Sequence, residues 1–338
     1  MSLTILLSEQ RIYIKKIIKL NLYRISAKLM ASLKVMDLRQ LNHLIAVADH
    51  GSFSSAARSL HTVQSNVSNH VAKLEKELGT VLLDRRTMQP TPEGLAVISR
   101  ARRIRAEIKA ISDDLLSINE EVEGQVQIGC IGTTASWIIA PLLEKLTKAF
   151  PSLQPRLIDS DTNSLTQKIL SGDLDLAIID TPAMNASLES ETLFKEEKII
   201  VAPAGHPLSK RESVSVQDLS EYEMMVTPQG TFFRDSLDEE LSSVGVEIKI
   251  GAEIDGLRLL ASLAFQGHAP AVLPASAASG YPNDNWKLIR INGLIKRPVT
   301  LIRNKRMTPS LPARATNEVI HEVVKEIGPK QAGIEVCI

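Results

Sequence analysis

Two cysteines in 338 residues, Cys130 and Cys337, are too few and too far apart for a disulfide framework or a CxxC metal or redox motif. A reducing cytoplasm is the natural compartment for such a chain. Aromatic residues make up 4%, which argues against a large stacked ligand. No uninterrupted apolar run reaches the roughly 18 residues that suggest a membrane span. Formal net charge is zero, so overall charge announces no polyanionic partner. No GxSxG, HExxH or P-loop signature occurs. His43, His50, His61 and His70 lie close together in sequence without zinc-ligand spacing. No catalytic residue, metal site or cofactor is therefore expected. Low-complexity segments and strict repeats are also missing.

What is present is an ordinary soluble composition, 44% apolar and 23% charged, with enough length for two or three domains. Charge is unevenly placed. Residues 1–35 carry seven basic side chains against Glu9 alone, a net +6, and the remainder of the chain is therefore at −6. That basic stretch reads either as a targeting or membrane-surface segment or as an extension upstream of a start at Met36.

A well-patterned domain, 36–94, begins at Met36. Leu38, Leu41, Leu44, Ile45 and Ala48 share one helical face, and Gly51 suits the residue after the helix. Ser52 is placed to cap a short second helix whose Ala56, Ala57 and Leu60 face inward. A short link leads to a third helix with Val67, Val71, Leu74 and Leu78 as its stripe, ended by Gly79. "TVLLDRRTMQPTPEG" reads as two short strands around a turn. The opposite side of the third helix carries Gln64, Ser65, Ser68, Asn69 and Lys73 rather than the usual Lys and Glu. Amides pair bidentately with adenine, and hydroxyls serve several base edges or phosphates. The pattern reads as a helix-turn-helix that meets duplex DNA, the alternative being an ordinary solvated helix; Arg85 and Arg86 of the wing are then candidates for backbone phosphate. Arg100, Arg102, Arg103 and Arg105 either neutralise flanking phosphates or solvate their helix.

Residues 95–123 form a linker within a helix expected from Pro92 to Val122. Ile104, Ile108, Ile111, Leu115, Ile118 and Val122 are spaced 4, 3, 4, 3, 4, a heptad seam that either meets a partner helix or packs on the chain's own domain. From Gly124 strand and helix patterns alternate, which argues a parallel-rich α/β architecture over 124–330.

The run from "MDLRQLNHLIAVADHGSFSSAARSLH" through "KLEKELG", "LLDR" and "TPEG" closely resembles LysR-type transcriptional regulators. The resemblance continues through "GQVQIG", "FPSLQPRL", "LSGDLDLAIID", "AGHPLS" and "VLP". It implies an N-terminal winged helix-turn-helix (α with a small β wing) and a long dimerising linker helix. It further implies an α/β effector domain of two Rossmann-like, periplasmic-binding-protein-like subdomains. The boundaries expected are 124–183 with 288–328 for one subdomain and 184–287 for the other. The implied partners are promoter double-stranded DNA, further copies of the chain as a dimer of dimers, a small-molecule co-inducer and RNA polymerase, with no membrane. The family's recognition helix commonly reads Ser-Gln-Pro-x-x-Ser-Arg where this chain has Val63 to Asn69. Gln64 and Ser68 match, Ser65 stands for Pro, and Asn69 stands for an Arg.

An effector is expected at strand C-termini and helix N-termini, where open α/β sheets bind ligands. "IGCIGTTAS" brings Gly132, Thr133, Thr134 and Ser136 around free N–H groups suited to a carboxylate or phosphate, or Thr134 simply caps the helix. "TPQGTFFR" offers Gln229, Thr231 and Arg234, while Asp159, Thr162 and Asp180 lie at neighbouring strand ends. Asp180 either binds a ligand amine or hydroxyl or caps its crossover. His268 either packs or makes effector binding pH-dependent. Redox-sensing relatives use a pair of cysteines in the second subdomain, which this chain lacks; Cys130 reads as a buried core thiol. The rival reading, a free-standing solute-binding protein, explains 124–330 but not 36–94.

Overall fold

The computed structural model describes residues 36–116, 122–181, 185–279 and 285–338. The basic N-terminal segment and Ile118 of the seam lie outside the described residues. The chain divides into two compact units, residues 1–105 and 106–338.

In the first unit α1 (Leu38–His50), α2 (Phe53–Ser59) and α3 (Gln64–Leu78) pack with the start of α4 (Pro92–Leu116). α1 opens with a capping box: the Asp37 carboxylate accepts from Gln40 N–H, and the Gln40 side chain accepts from Asp37 N–H. Gly51 closes it at φ +68°, in the left-handed region where glycine is least strained. Ser52 caps α2 by accepting from Ser55 N–H at 3.1 Å. Leu44, Val67, Val71, Leu74, Leu82 and Leu83 are fully buried at the centre, joined by Ile98 and Ala101 of α4. Leu78, expected to complete the α3 stripe, is instead 38% exposed.

The expected wing shrinks to one antiparallel bridge, Leu83 with Pro90. It is fixed from two sides. Glu75 Oε1 accepts from the N–H of Leu82 and of Leu83, at 2.9 and 3.2 Å. Thr91 donates to the Val81 carbonyl at 2.8 Å and accepts from Gly94 N–H at 3.0 Å. Gly94 lies so close to this turn that an added Cβ would stand 1.9 Å from the Leu82 carbonyl oxygen. "TPEG" is thus a packing motif.

α4 is described as far as Leu116; Val122 is not helical and packs against the core of the second unit. Ile104, Ile108, Ile111 and Leu115 are between 39% and 61% exposed.

The second unit holds two six-stranded mixed sheets. In the first, β1 (Gly124–Cys130) lies parallel to β2 (Leu153–Asp159) and β3 (Leu176–Ile179). β3 then pairs antiparallel with β11 (Arg297–Asn304), which pairs with β4 (Leu188–Glu196), and β4 with β12 (Ile334–Val336). α5 (Gly132–Ala149) and α9 (Leu311–Ile327) supply the core on one face of this sheet, α6 (Thr162–Ser171) on the other. The second sheet runs β6 (Ser213–Ser215), β10 (Trp286–Asn292), β5 (Lys198–Pro203), β9 (Ala271–Pro274), β7 (Glu223–Val226), β8 (Lys249–Glu253). α7 (Phe232–Ser243) and α8 (Leu257–Phe265) cover it.

The chain passes between sheets at Glu196–Lys198 and at Asn292–Arg297. The expected boundaries near 183 and 287 are corrected accordingly: β4 belongs to the first sheet and β10 to the second. Alternating sequence patterns do not distinguish these strands, because long antiparallel strands return across the hinge. Lys198, buried at the crossing, is held by Glu240 at 2.6 Å and donates to the Ile295 carbonyl at 3.1 Å.

Candidate nucleic-acid interface and ligand cleft

Burial of Val67, Val71 and Leu74 fixes the rotation of α3. Gln64, Ser65, Asn69 and Lys73 are therefore exposed, and Ser68 is half-buried between the faces. Gln64 Oε1 accepts from the Ser54 hydroxyl at 3.0 Å, which leaves its amide N–H₂ free of that contact. Lys73 lies 3.9 Å from Glu77, a solvated pair worth little. Arg85 is engaged within the unit, 2.6 Å from Glu75 and stacked over the Phe53 ring at 5.1 Å, while its side chain stays 44% exposed. Arg86 is exposed in the same turn. Sequence reasoning missed Glu75; its place in "KLEKELG" was the available signal. Arg102 pairs with Asp49 on α1.

Under α3 the His43 and His70 rings stack, with centroids 4.4 Å apart. His43 Nδ1 bonds the Arg39 carbonyl, whereas His70 Nδ1 is buried without a partner. Burial, and then the facing His43, lower the His70 pKa; Asp37 works in the opposite direction.

In the second unit a cleft of about 1120 Å³ lies between the two sheets. Its wall includes Thr133, Thr162, Asp180 and Thr231 of the expected residues, and adds Arg258 and Arg297. Thr134, Ser136 and Gln229 do not line it. Thr134 is fully buried one residue behind the cleft, and Ile131, not Thr134, occupies the cap position of α5. Ser136 has turned toward a neighbouring cavity, where its hydroxyl donates to the Thr133 carbonyl at 2.6 Å. Gln229 is exposed. Arg234 is consumed by Asp238 at 2.7 Å, the Thr227 carbonyl at 3.0 Å and Glu253 at 3.2 Å. His268 is exposed and lies outside this wall, so it neither packs nor faces a ligand there.

The cleft floor is a buried charge cluster. Arg297 donates to Asp180 at 2.6 Å and, through Nε and Nη2, to Glu196, its register partner at the hinge. Burial opposes the guanidinium charge, but Glu196 and Asp180 outweigh it and raise the Arg297 pKa. Phe233 of α7 lies over the same guanidinium at 5.4 Å. Glu196 also accepts from Ser276 N–H at 2.8 Å, and the Thr162 hydroxyl donates to Asp180. One arginine thus ties three strand ends of the first sheet to both hinge and second sheet. Arg258 of α8 pairs with Asp159 at the rim. Cys130 lies outside this wall; it is fully buried, and burial pushes its thiol pKa up, as expected of a core thiol rather than a reactive one.

Comparisons with known proteins agree with both units. The model of the bacterial regulatory helix-turn-helix protein, lysR family, matches residues 38–95, and that of the LysR substrate binding domain matches 119–325. The nitrogen assimilation regulatory protein nac of Escherichia coli K12 is 30% identical over 86% of this chain and 94% of its own. The hydrogen peroxide-inducible genes activator of Dickeya chrysanthemi is 30% identical over 72% of this chain and 80% of its own. Among solved structures, a full-length OxyR variant from Pseudomonas aeruginosa superposes at a TM-score of 0.68, with 22% identity over 86% of this chain and 98% of its own. Full-length CbnR with its target DNA superposes at 0.61, with 24% identity over 85% of this chain and all of its own. The chain belongs to the LysR family of helix-turn-helix transcriptional regulators.

Proposed function

We propose that α3 enters the major groove of promoter DNA with Gln64, Ser68 and Asn69 toward base edges, and Ser65, Lys73 and Arg86 toward phosphates. One observation carries this reading: the buried Val67, Val71 and Leu74 leave a continuous amide-and-hydroxyl face on the same helix. Arg85, already engaged with Glu75, serves mainly to hold the turn beside α3. A similar full-length protein, CbnR, is solved in complex with its target DNA, which supports DNA as the partner. The apolar seam of α4, Ile104 to Leu115, suits a second copy of the chain, and pairs of pairs follow as the DNA-bound assembly. A small-molecule effector occupies the cleft at Thr133, Thr162, Asp180 and Thr231 and biases the hinge. The place of action is the cytoplasm; no described helix is long and apolar enough to cross a membrane.

The test is fluorescence anisotropy of the full chain on DNA from upstream of its own gene, read at several salt concentrations. Specific binding that weakens steeply with salt supports the reading. Equal affinity for that DNA and for a scrambled duplex contradicts it.

A further inference from the structure

The cleft wall carries polar groups of both signs. Three helices begin on it without a side-chain cap: α5 at Ile131, α7 at Thr231 and α8 at Gly256. All three starts line the cleft. Each presents unsatisfied backbone N–H groups and the positive end of its dipole. A second, independent feature points to a ligand there. Thr133, in the first turn of α5 and on the cleft wall, is 4% exposed, yet its hydroxyl has no partner. A buried hydroxyl without a partner costs stability that a bound acceptor would recover.

Carboxylates share the same wall. Asp180 and Glu196 share the single Arg297, which leaves a buried cluster of formal charge −1 on the floor. Asp161 and Asp255 add carboxylates to the wall, and Arg258 is matched by Asp159. A plain anion entering the cleft meets these charges, whereas a plain cation leaves the helix starts unmatched. Asp180 already accepts from Thr162 and Arg297, but a carboxylate has room for further donors.

We propose that the effector is a zwitterion of amino-acid type, its carboxylate at the starts of α5, α7 and α8 and its ammonium at Asp180. This rests on the effector cleft of the preceding reading and names the ligand class. Because Asp180 and Arg297 belong to one cluster with hinge residue Glu196, the ammonium end sits where occupancy reaches the hinge.

The experiment is thermal shift followed by calorimetry on the full-length chain. The probes are the standard amino acids and the ω-amino acids of three to six carbons. Each is tested beside its deaminated acid and its decarboxylated amine. At least one amino acid is expected to bind at least tenfold tighter than both of its one-ended counterparts, the size of one charge-assisted contact. Asp180→Asn is expected to cut that affinity about tenfold and to narrow the gap to the deaminated acid. Asp180 is buried in a cluster, so Thr133→Val provides an independent check: it removes an unpartnered hydroxyl, leaves the melting temperature of the free protein unlowered, and weakens the amino acid and its deaminated acid alike. A deaminated acid that binds as tightly as its parent overturns the proposal, and so does failure of every probe to bind. Operator binding by the same preparation is measured in parallel. Its loss counts against the DNA-reading function and not against the ligand class.

Discussion

The reading helix and the cleft floor solve opposite problems with polar side chains. On α3 the polar groups of the reading face are held outward by three buried apolar residues, and the contacts of Gln64 with Ser54 and of Lys73 with Glu77 lie at the surface. In the cleft floor the polar groups are turned inward, and each is fixed by another polar group from a distant segment. The first arrangement leaves its hydrogen-bonding capacity for a partner molecule. The second uses most of that capacity to join strands at a hinge, with a small remainder toward the cleft. Removing a polar group should therefore cost function on α3 and stability in the cleft.

The largest effect expected is from Arg297→Met. It leaves Asp180 and Glu196 buried without their shared counter-charge, and such a loss costs about 3–5 kcal/mol. Denaturant unfolding of the full chain reads it; a change below about 1 kcal/mol would erase the contrast between the two regions. Gly94→Ala comes next. Its Cβ must displace the Leu82 carbonyl oxygen from 1.9 Å, and overpacking of this kind costs about 1–3 kcal/mol. Thermal unfolding should show the loss in the DNA-binding unit. Asn69→Arg sharpens the other side of the comparison. It restores a charge-assisted contact and should raise operator affinity about tenfold at unchanged stability, as read by gel-shift titration.

The smallest effect is a pH dependence. The folded His70 has a lowered pKa, so protons bind more readily to the unfolded chain. Stability from this group is complete above the ordinary imidazole value of about 6.5 and is lost as pH falls below it. His70→Gln should flatten the unfolding midpoint between neutral and mildly acidic pH, an effect that circular dichroism melts can follow.

Legibility in the sequence follows the same division. Helix boundaries of the first unit, its caps at Ser52 and Gly51, and the outward face of α3 depend on neighbours within a few residues. Local spacing therefore reveals them. The ties of Glu75 to the Leu82 turn and of Thr91 to Val81 join segments seven to ten residues apart. They were visible only as motif letters. Strand alternation pointed to α/β layering, yet nothing local says that β4 and β10 belong to different sheets. The cleft is least legible. Thr133, Thr162, Asp180 and Thr231 sit at strand ends and helix starts, where general rules look for ligands. Arg297 stands more than 100 residues from both of its carboxylates and was missed. Thr134, Ser136 and Gln229 show the limit of that rule: within one helix start or loop, neighbours one to three residues away face different spaces.

The most direct measurement is operator binding by the double variant Gln64→Ala, Ser68→Ala, compared with the original chain on operator and scrambled DNA across a salt series. Removal of base-edge contacts should abolish preference for the operator while the salt dependence persists, because phosphate contacts by Lys73 and Arg86 remain. An undiminished preference would mean that another surface reads the DNA, and the outward face of α3 would lose its assigned role.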